Sequence, residues 1–180
     1  MRIVLAALAI CAFAGCSPNE DGHKDNGGSL SSVVPPTGLV AQHAFDPCTD
    51  IHDGLISAAG LDPSSRKPSV VAQTFKYEGC SYESRDKIVA IIISADTTFQ
   101  KQSERFRATG QFISVNGRPT IIGQNEISHN DGCDIVFQLN SGVMFIDQTI
   151  KSDAMFAGMQ GCDGADQIAN AIEPSLPKGN

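Results

Sequence analysis

The chain of 180 residues carries 13 Lys and Arg against 20 Asp and Glu, which gives a net charge of −7. Its longest basic stretch is Arg66-Lys67, and this disfavours nucleic-acid binding, because neutralising phosphates requires clustered cations. The length is sufficient for one folded domain and a tether.

The first segment is an apolar run at residues 3–13, IVLAALAICAF, which follows Arg2. A membrane-spanning helix needs about 20 apolar residues, so this shorter run predicts a secretory signal peptide over residues 1–15. The letters FAGC at its end resemble the bacterial lipobox, in which the cysteine is acylated before cleavage on its N-terminal side. We therefore expect lipid on Cys16, holding the protein on the extracytoplasmic face of the cell membrane. An ordinary cleaved signal peptide with a bystander cysteine is the alternative.

Residues 16–42 are rich in Gly, Ser, Pro, Asn and Asp, and they predict a flexible tether before a domain at residues 43–180. Cys11 leaves with the signal, so the domain keeps an even set of cysteines: Cys48, Cys80, Cys133 and Cys162. In an exported chain this implies two disulfides, for which three pairings exist. We favour Cys48–Cys80 and Cys133–Cys162, since these partners are neighbours in sequence and tie one helix to one strand at each end. A zinc site is disfavoured by the lack of a C-x-x-C pair.

The domain begins with a predicted helix. Asp46-Pro47 is typical of a helix start, and Ile51, Leu55 and Ala59 recur on one face before a stop at Gly60. A strand is predicted at residues 70–77. The β-branched run at residues 87–93 predicts a second strand, too apolar to lie at a sheet edge.

Two hairpins follow a short helix or irregular crossing at residues 98–108. Asn116-Gly117 suits a type I′ turn between strands at residues 112–115 and 119–122, and a second hairpin joins residues 133–139 and 143–150. A final helix has its apolar residues on one face, which are Ala165, Ile168, Ala169 and Ile172. The order predicts an α+β fold, with a single mostly antiparallel sheet of about six strands and an N-terminal and a C-terminal helix packed on it.

The cysteine motifs DPC at residues 46–48 and GCSY at residues 79–82 resemble a family of actinobacterial lipoproteins catalogued only as a domain of unknown function. That family has a lipobox, a polar tether, a helix opened by D-P-C and a strand with G-C and an aromatic residue. Its Gly-Arg-Pro turn corresponds to residues 117–119, and its last cysteines correspond to Cys133 and Cys162. Tyr82 stands where Trp is common. The resemblance spans residues 45–177 and implies an exported, disulfide-stapled domain, but no activity and no catalytic residues.

No pattern in the chain indicates a reaction. There is no G-x-S-x-G, S-x-x-K, H-E-x-x-H or P-loop sequence, and disulfide pairing leaves no thiol nucleophile in the domain. The histidines are interpreted as surface residues, namely His23, His43, His52 and His129. Four aspartates lack the spacing of an EF-hand: Asp131, Asp134, Asp163 and Asp166. We therefore expect no metal, no cofactor and no catalytic residue.

Met and Phe side chains are concentrated near the C-terminal part of the chain. Met-rich surfaces adapt to varied ligands, so a candidate apolar groove is assigned to Met144, Met155, Phe156 and Met159. Core packing is the simpler interpretation of these residues. The leading hypothesis is a non-enzymatic membrane-anchored lipoprotein that binds a protein partner or envelope component. A carrier of a lipid or small amphiphile is the alternative, and a hydrolase without a recognised motif is the third.

Overall fold

The structure is a computed structural model that describes residues 44–71, 77–125 and 131–178. Within them, seven strands form one sheet: β1 (Asp62–Val71), β2 (Tyr77–Glu83), β3 (Lys87–Ser94), β4 (Gly110–Val115), β5 (Arg118–Gln124), β6 (Gly132–Leu139) and β7 (Gly142–Ile150). The helices are α1 (Asp53–Ala58), α2 (Phe99–Arg105), α3 (Ser152–Phe156) and α4 (Ala165–Ile172), followed by a 3₁₀ turn at Glu173–Ser175. The signal peptide, Cys16 and the tether lie outside the described residues, as do His23, His43 and His129.

The sheet is antiparallel throughout the described strands, in the order β1-β2-β3-β7-β6-β5-β4. The predicted α+β class and the single antiparallel sheet are confirmed. Strand β3 lies between β2 and β7, as its apolar run predicted. The described part of the chain contains no helix long and apolar enough to cross a membrane.

The two faces of the sheet are covered unequally. On the first face, α1 and α4 pack over the larger core, which includes Ile56, Ile135 and Ile168, each fully buried. On the second face, α2 contacts β6, and the smaller core consists of Phe106, Ile121, Val136 and Val143 with Phe99 and Phe145 beside it. In the described part of the chain, the short helix α2 is thus the one that packs beside the smaller core on the second face.

Both predicted hairpins are present. Asn116 has φ 50° and Gly117 has φ 88°, the left-handed values that a type I′ turn requires at both positions. The two residues leave Val115 paired with Arg118. In the second hairpin the closing pair is Leu139 with Gly142, around Asn140 and Ser141.

The predicted start of the first helix is wrong. The Asp46 carboxylate accepts a hydrogen bond from the Cys48 N–H at 2.8 Å, and the Asp46 N–H donates to the Asp50 carboxylate at 2.8 Å. These bonds hold a turn, and α1 begins only at Asp53. Because the helix starts later, Ile56 takes the buried position that the spacing assigned to Leu55.

Strand β1 is the largest difference from the sequence-based prediction. The predicted strand at residues 70–77 covers the end of β1 and the start of β2, with residues 72–76 outside the described ranges. No element was predicted at residues 62–69, which contain Pro63 and Pro68. A sheet edge tolerates proline because one side of an edge strand needs no N–H donor. The sheet therefore has seven described strands instead of about six.

Candidate functional site

Two aspartates face each other on the second face of the sheet. Asp134 on β6 pairs directly with Asp147 on β7, and residues directly opposite on antiparallel strands have Cβ atoms about 5 Å apart. Asp134 is only 4% exposed. They lie on the same face as Val136 and Phe145, beside the smaller core. Two carboxylates are thus held close together in a largely water-excluded position.

One cation serves this pair among the described residues. The Arg105 guanidinium, at the end of α2, lies 3.5 Å from Asp134 Oδ2, and the Asn125 side chain donates a hydrogen bond to Asp134 Oδ1 at 3.0 Å. Burial, together with the nearby charge of Asp147, raises the pKa of Asp134 to about 6 despite these two partners. Burial also raises the pKa of Asp147, against the opposing effect of Arg105.

The raised pKa has a definite consequence for stability. Asp134 binds its proton more tightly in the folded chain than in the unfolded chain, where its pKa has the ordinary value of 3.8. The stabilisation that results is complete below about pH 4 and is lost as pH rises through about 6. A shift of this size corresponds to roughly 3 kcal/mol. An ionised Asp134 therefore destabilises the folded state at neutral pH. Carboxyl groups with perturbed pKa values of this kind indicate candidate functional sites.

A second feature is the outer edge of β4. Ser114 pairs with Pro119, and proline has no N–H to donate, so this pair is not hydrogen bonded. The N–H and C=O of Ser114 consequently point away from β5, and by strand alternation those of Phe112 do so too. Phe112 and Ile113 are 52% and 39% exposed. Strand β4 presents both backbone groups and apolar side chains, and it carries no charge.

The opposite edge of the sheet is different in composition. Strand β1 contains Pro63, Pro68, Arg66 and Lys67, and its register with β2 shifts between Asp62 and Lys67. Prolines, cations and bulges are the devices that prevent further strand pairing. Only β4, of the two edges, is open to another strand.

An open cleft of about 820 Å³ lies at the end of the sheet that carries both hairpin turns, and Leu139 and Leu176 are part of its lining. Two of its charged residues, Arg118 and Glu173, are paired with each other, and Lys178 in its lining is exposed. Arg118 Nε donates to Glu173 Oε1 at 2.9 Å, and its Nη atoms donate to the backbone carbonyls of Gln138 and Pro177 at 2.9 and 2.8 Å. Arg118 therefore fixes the C-terminal segment onto the sheet, and each of its three nitrogens already has a protein partner.

The four domain cysteines form the disulfides that the sequence favoured. Cys48 is bonded to Cys80, and Cys133 is bonded to Cys162. Each bond joins a strand to the turn that precedes a helix, and both lie against the larger core.

The loop that carries Cys162 is held by Gln148 and Lys87. The Gln148 side chain donates to the carbonyl of Gly161, and Lys87 Nζ donates to that of Asp163 at 2.8 Å. Burial lowers the pKa of Lys87. These polar residues stabilise the loop, so we assign them a structural role.

The structure does not place the four Met and Phe residues in one open groove. Met144 is fully buried in the larger core, because alternation along β7 points it to the first face. Met155 is 39% exposed and Phe156 is 90% exposed on α3, with Met159 partly buried after it. Met144 is thus a core residue, and the groove assignment is wrong for it.

The remaining candidates are dispersed. His52 is exposed at the N-cap of α1, and its side chain makes no capping hydrogen bond. Asp163 accepts a hydrogen bond from the Gln160 N–H, and Asp166 lies in the first turn of α4. In the described ranges no three His, Cys, Asp or Glu side chains are grouped as a metal would require.

The pairing of Asp134 with Asp147 was not predicted from the sequence, although the length of the hairpin turn indicates it. A two-residue turn at Asn140-Ser141 fixes the register of the hairpin, and that register sets Asp134 opposite Asp147. The pair is therefore derivable once the turn length is known. The contact with Arg105 is not derivable, since it depends on where α2 packs.

Comparison with known protein families gives a match that covers most of the chain. A family model described as "Protein of unknown function (DUF3558)" covers residues 11–175. No curated protein and no solved structure matches the chain.

Proposed function

Since the chain belongs to the DUF3558 family of proteins of unknown function, we propose that it is a lipid-anchored extracytoplasmic domain that binds another envelope protein along strand β4. The actinobacterial origin and the lipoprotein character implied by the resemblance are parts of this proposal. The role is binding and not catalysis, since the sequence carries none of the nucleophile or phosphate motifs named above.

Two observations on the cysteines support the anchored location. The FAGC sequence ends a short apolar run at Cys16, and the domain carries two disulfides. Disulfides persist in oxidising compartments outside the cytoplasm. A tether at residues 16–42 gives the domain reach from the membrane to a neighbouring protein.

The binding mode is carried by one observation, the uncharged and exposed edge of β4. An extended segment of a partner adds to such an edge through main-chain hydrogen bonds, and side-chain contacts provide specificity. Here the outward groups of Phe112 and Ser114 supply the hydrogen bonds, and Phe112 and Ile113 supply exposed apolar surface. The occupant that fits is an extended segment of a protein with uncharged, apolar side chains facing β4.

The test is photo-cross-linking in native membranes. A photoreactive phenylalanine analogue at position 112 is expected to give an adduct of one defined mass. Adding Ser114→Pro to the same chain is expected to reduce the adduct at least tenfold, because proline removes an outward N–H that the partner needs. The measurement is adduct yield by immunoblot, with mass spectrometry of the captured peptide.

The matched control is the same analogue at position 156, since Phe156 is 90% exposed and lies on α3. No adduct of the defined mass is expected there. Equal adducts at positions 112 and 156, or an adduct that Ser114→Pro leaves unchanged, would contradict strand addition at β4.

The carrier alternative has one observation in its favour, the exposure of Met155 and Phe156. It has less support than partner binding, because Met144 is buried in the core and the open cleft contains the charged side chains of Arg118 and Glu173 in its lining. A lipid adduct at position 156 in the same experiment would favour the carrier.

A further inference from the structure

Helix α2 covers the second face of the sheet with few contacts. Phe99 and Phe106 pack against the smaller core, and Arg105 lies 3.5 Å from Asp134. The helix has seven residues, and exposed turn residues precede and follow it. Segments with little buried apolar surface are the ones that open locally in native proteins.

The polar atoms beneath α2 are incompletely satisfied. In the described ranges, three buried side-chain atoms lack a hydrogen-bond partner: Ser94 Oγ, Gln102 Oε1 and Asp147 Oδ1. Gln102 lies on α2 itself, while alternation along β3 and β7 puts Ser94 and Asp147 on the second face. A buried polar atom without a partner costs about 1–3 kcal/mol. Movement of α2 away from the sheet would let these atoms form hydrogen bonds to water.

The charges beneath α2 are unbalanced once both aspartates are ionised. Asp134 on β6 and Asp147 on β7 then share one cation, Arg105. In the described residues, β5 contributes uncharged Gly123 and Asn125 beside Asp134, and β3 contributes uncharged Ala90 beside Asp147. With one carboxyl protonated, the same site is neutral. The closed position of α2 is thus favourable when one of the two carboxyl groups is ionised, and it is destabilised when both are ionised.

We propose that α2 is a cover that opens from the second face of the sheet as Asp134 and Asp147 lose their protons. Opening admits water to both carboxylates and releases Arg105. It also uncovers apolar side chains of the smaller core, including Ile121, Val136 and Phe145. The cover is closed in acid and opens more often at neutral and alkaline pH.

The experiment is hydrogen–deuterium exchange of the full chain in detergent at pH 5 and pH 8, corrected for intrinsic exchange. The amides of α2 are expected to lose 10- to 100-fold in protection between these pH values, as the raised pKa values imply. They should exchange at least tenfold faster than those of β7 at both pH values, because opening is local.

Two variants change the charge balance in opposite directions. Asp134→Asn is expected to reduce the pH-dependent loss of protection at least fivefold, because only Asp147 then faces Arg105. Arg105→Gln is expected to increase α2 exchange at pH 8 more than at pH 5, since both carboxylates are left without a cation. The exposed carboxylate of Asp153 provides the control, and Asp153→Asn is expected to behave as the wild type.

Three outcomes overturn the proposal. One is α2 protection that does not change between pH 5 and pH 8. Another is α2 exchange at the same rate as β7, which means that the helix opens only on global unfolding. The third is an unchanged pH response in Asp134→Asn, which would assign the effect to other groups.

Discussion

Replacing Arg118 by methionine is expected to lower the free energy of unfolding by about 3–5 kcal/mol. Arg118 and Glu173 are 12% and 11% exposed, and they are joined at 2.9 Å. Removing the guanidinium leaves the Glu173 carboxylate buried, with the Asn116 side-chain amide as its remaining hydrogen-bond donor. Two backbone carbonyls, those of Gln138 and Pro177, lose their donors as well.

Two further variants separate the ion pair from the loss of a long side chain. Arg118→Lys keeps the charge but cannot reach three acceptors with a planar fork, so an intermediate loss is expected. Arg85→Met is the control, because Arg85 is 96% exposed and lies 3.9 Å from Asp86, and it should change stability by less than about 0.5 kcal/mol. Urea titration measures all three, and equal midpoints for Arg118→Met and Arg85→Met would refute the structural role of Arg118.

Removing the disulfide between Cys133 and Cys162 is expected to lower the free energy of unfolding by about 3–4 kcal/mol. The bond closes a loop with a sequence separation of 29 and fixes the turn before α4 to strand β6. The variant with both cysteines replaced by alanine loses this cross-link without leaving a buried thiol or hydroxyl. Thermal and urea unfolding of wild type and variant, each with and without reductant, measure the effect.

The reductant provides the control for this prediction. Reduced wild type should lose more stability than the reduced double variant, because the variant has only Cys48–Cys80 left to break. If the oxidised wild type and the variant unfold at the same urea concentration, the cross-link does not stabilise the fold.

The parts of the fold that the sequence predicted are those set by local chemistry. Asn116-Gly117 specified a turn that few other residue pairs form, and the hairpin of β4 and β5 followed from it. The strand at β3 is so rich in β-branched residues that it predicts a place between two other strands, and β3 does lie between β2 and β7.

The parts that could not be predicted depend on tertiary contacts. Strand β1 has the composition of a turn, and it forms because its backbone pairs with that of β2 at the sheet edge. The Asp46-Pro47 pair fits a helix start, but the Asp50 carboxylate bonds to the Asp46 N–H instead and delays the helix. In each case a partner distant from the local pattern, or a competing side-chain bond, decided the outcome.

The same distinction holds for the candidate site. The open edge of β4 combines a sequence property, the absence of charge and proline in residues 110–115, with a topological one, its last place in the strand order. The former was visible in the sequence, but the latter was not. Likewise, turn length places Asp134 beside Asp147, whereas burial beneath α2 raises the pKa of Asp134 only in the folded chain.

The proposal of a lipid-anchored envelope domain is tested most directly by the mass of the N-terminal peptide of the protein isolated from membranes. The predicted result is a peptide that begins at Cys16 and carries a diacylglyceryl group on its sulfur, absent when Cys16 is replaced by alanine and retained when Cys11 is replaced instead. A mature chain that begins elsewhere, or one with an unmodified Cys16, would contradict the lipid anchor.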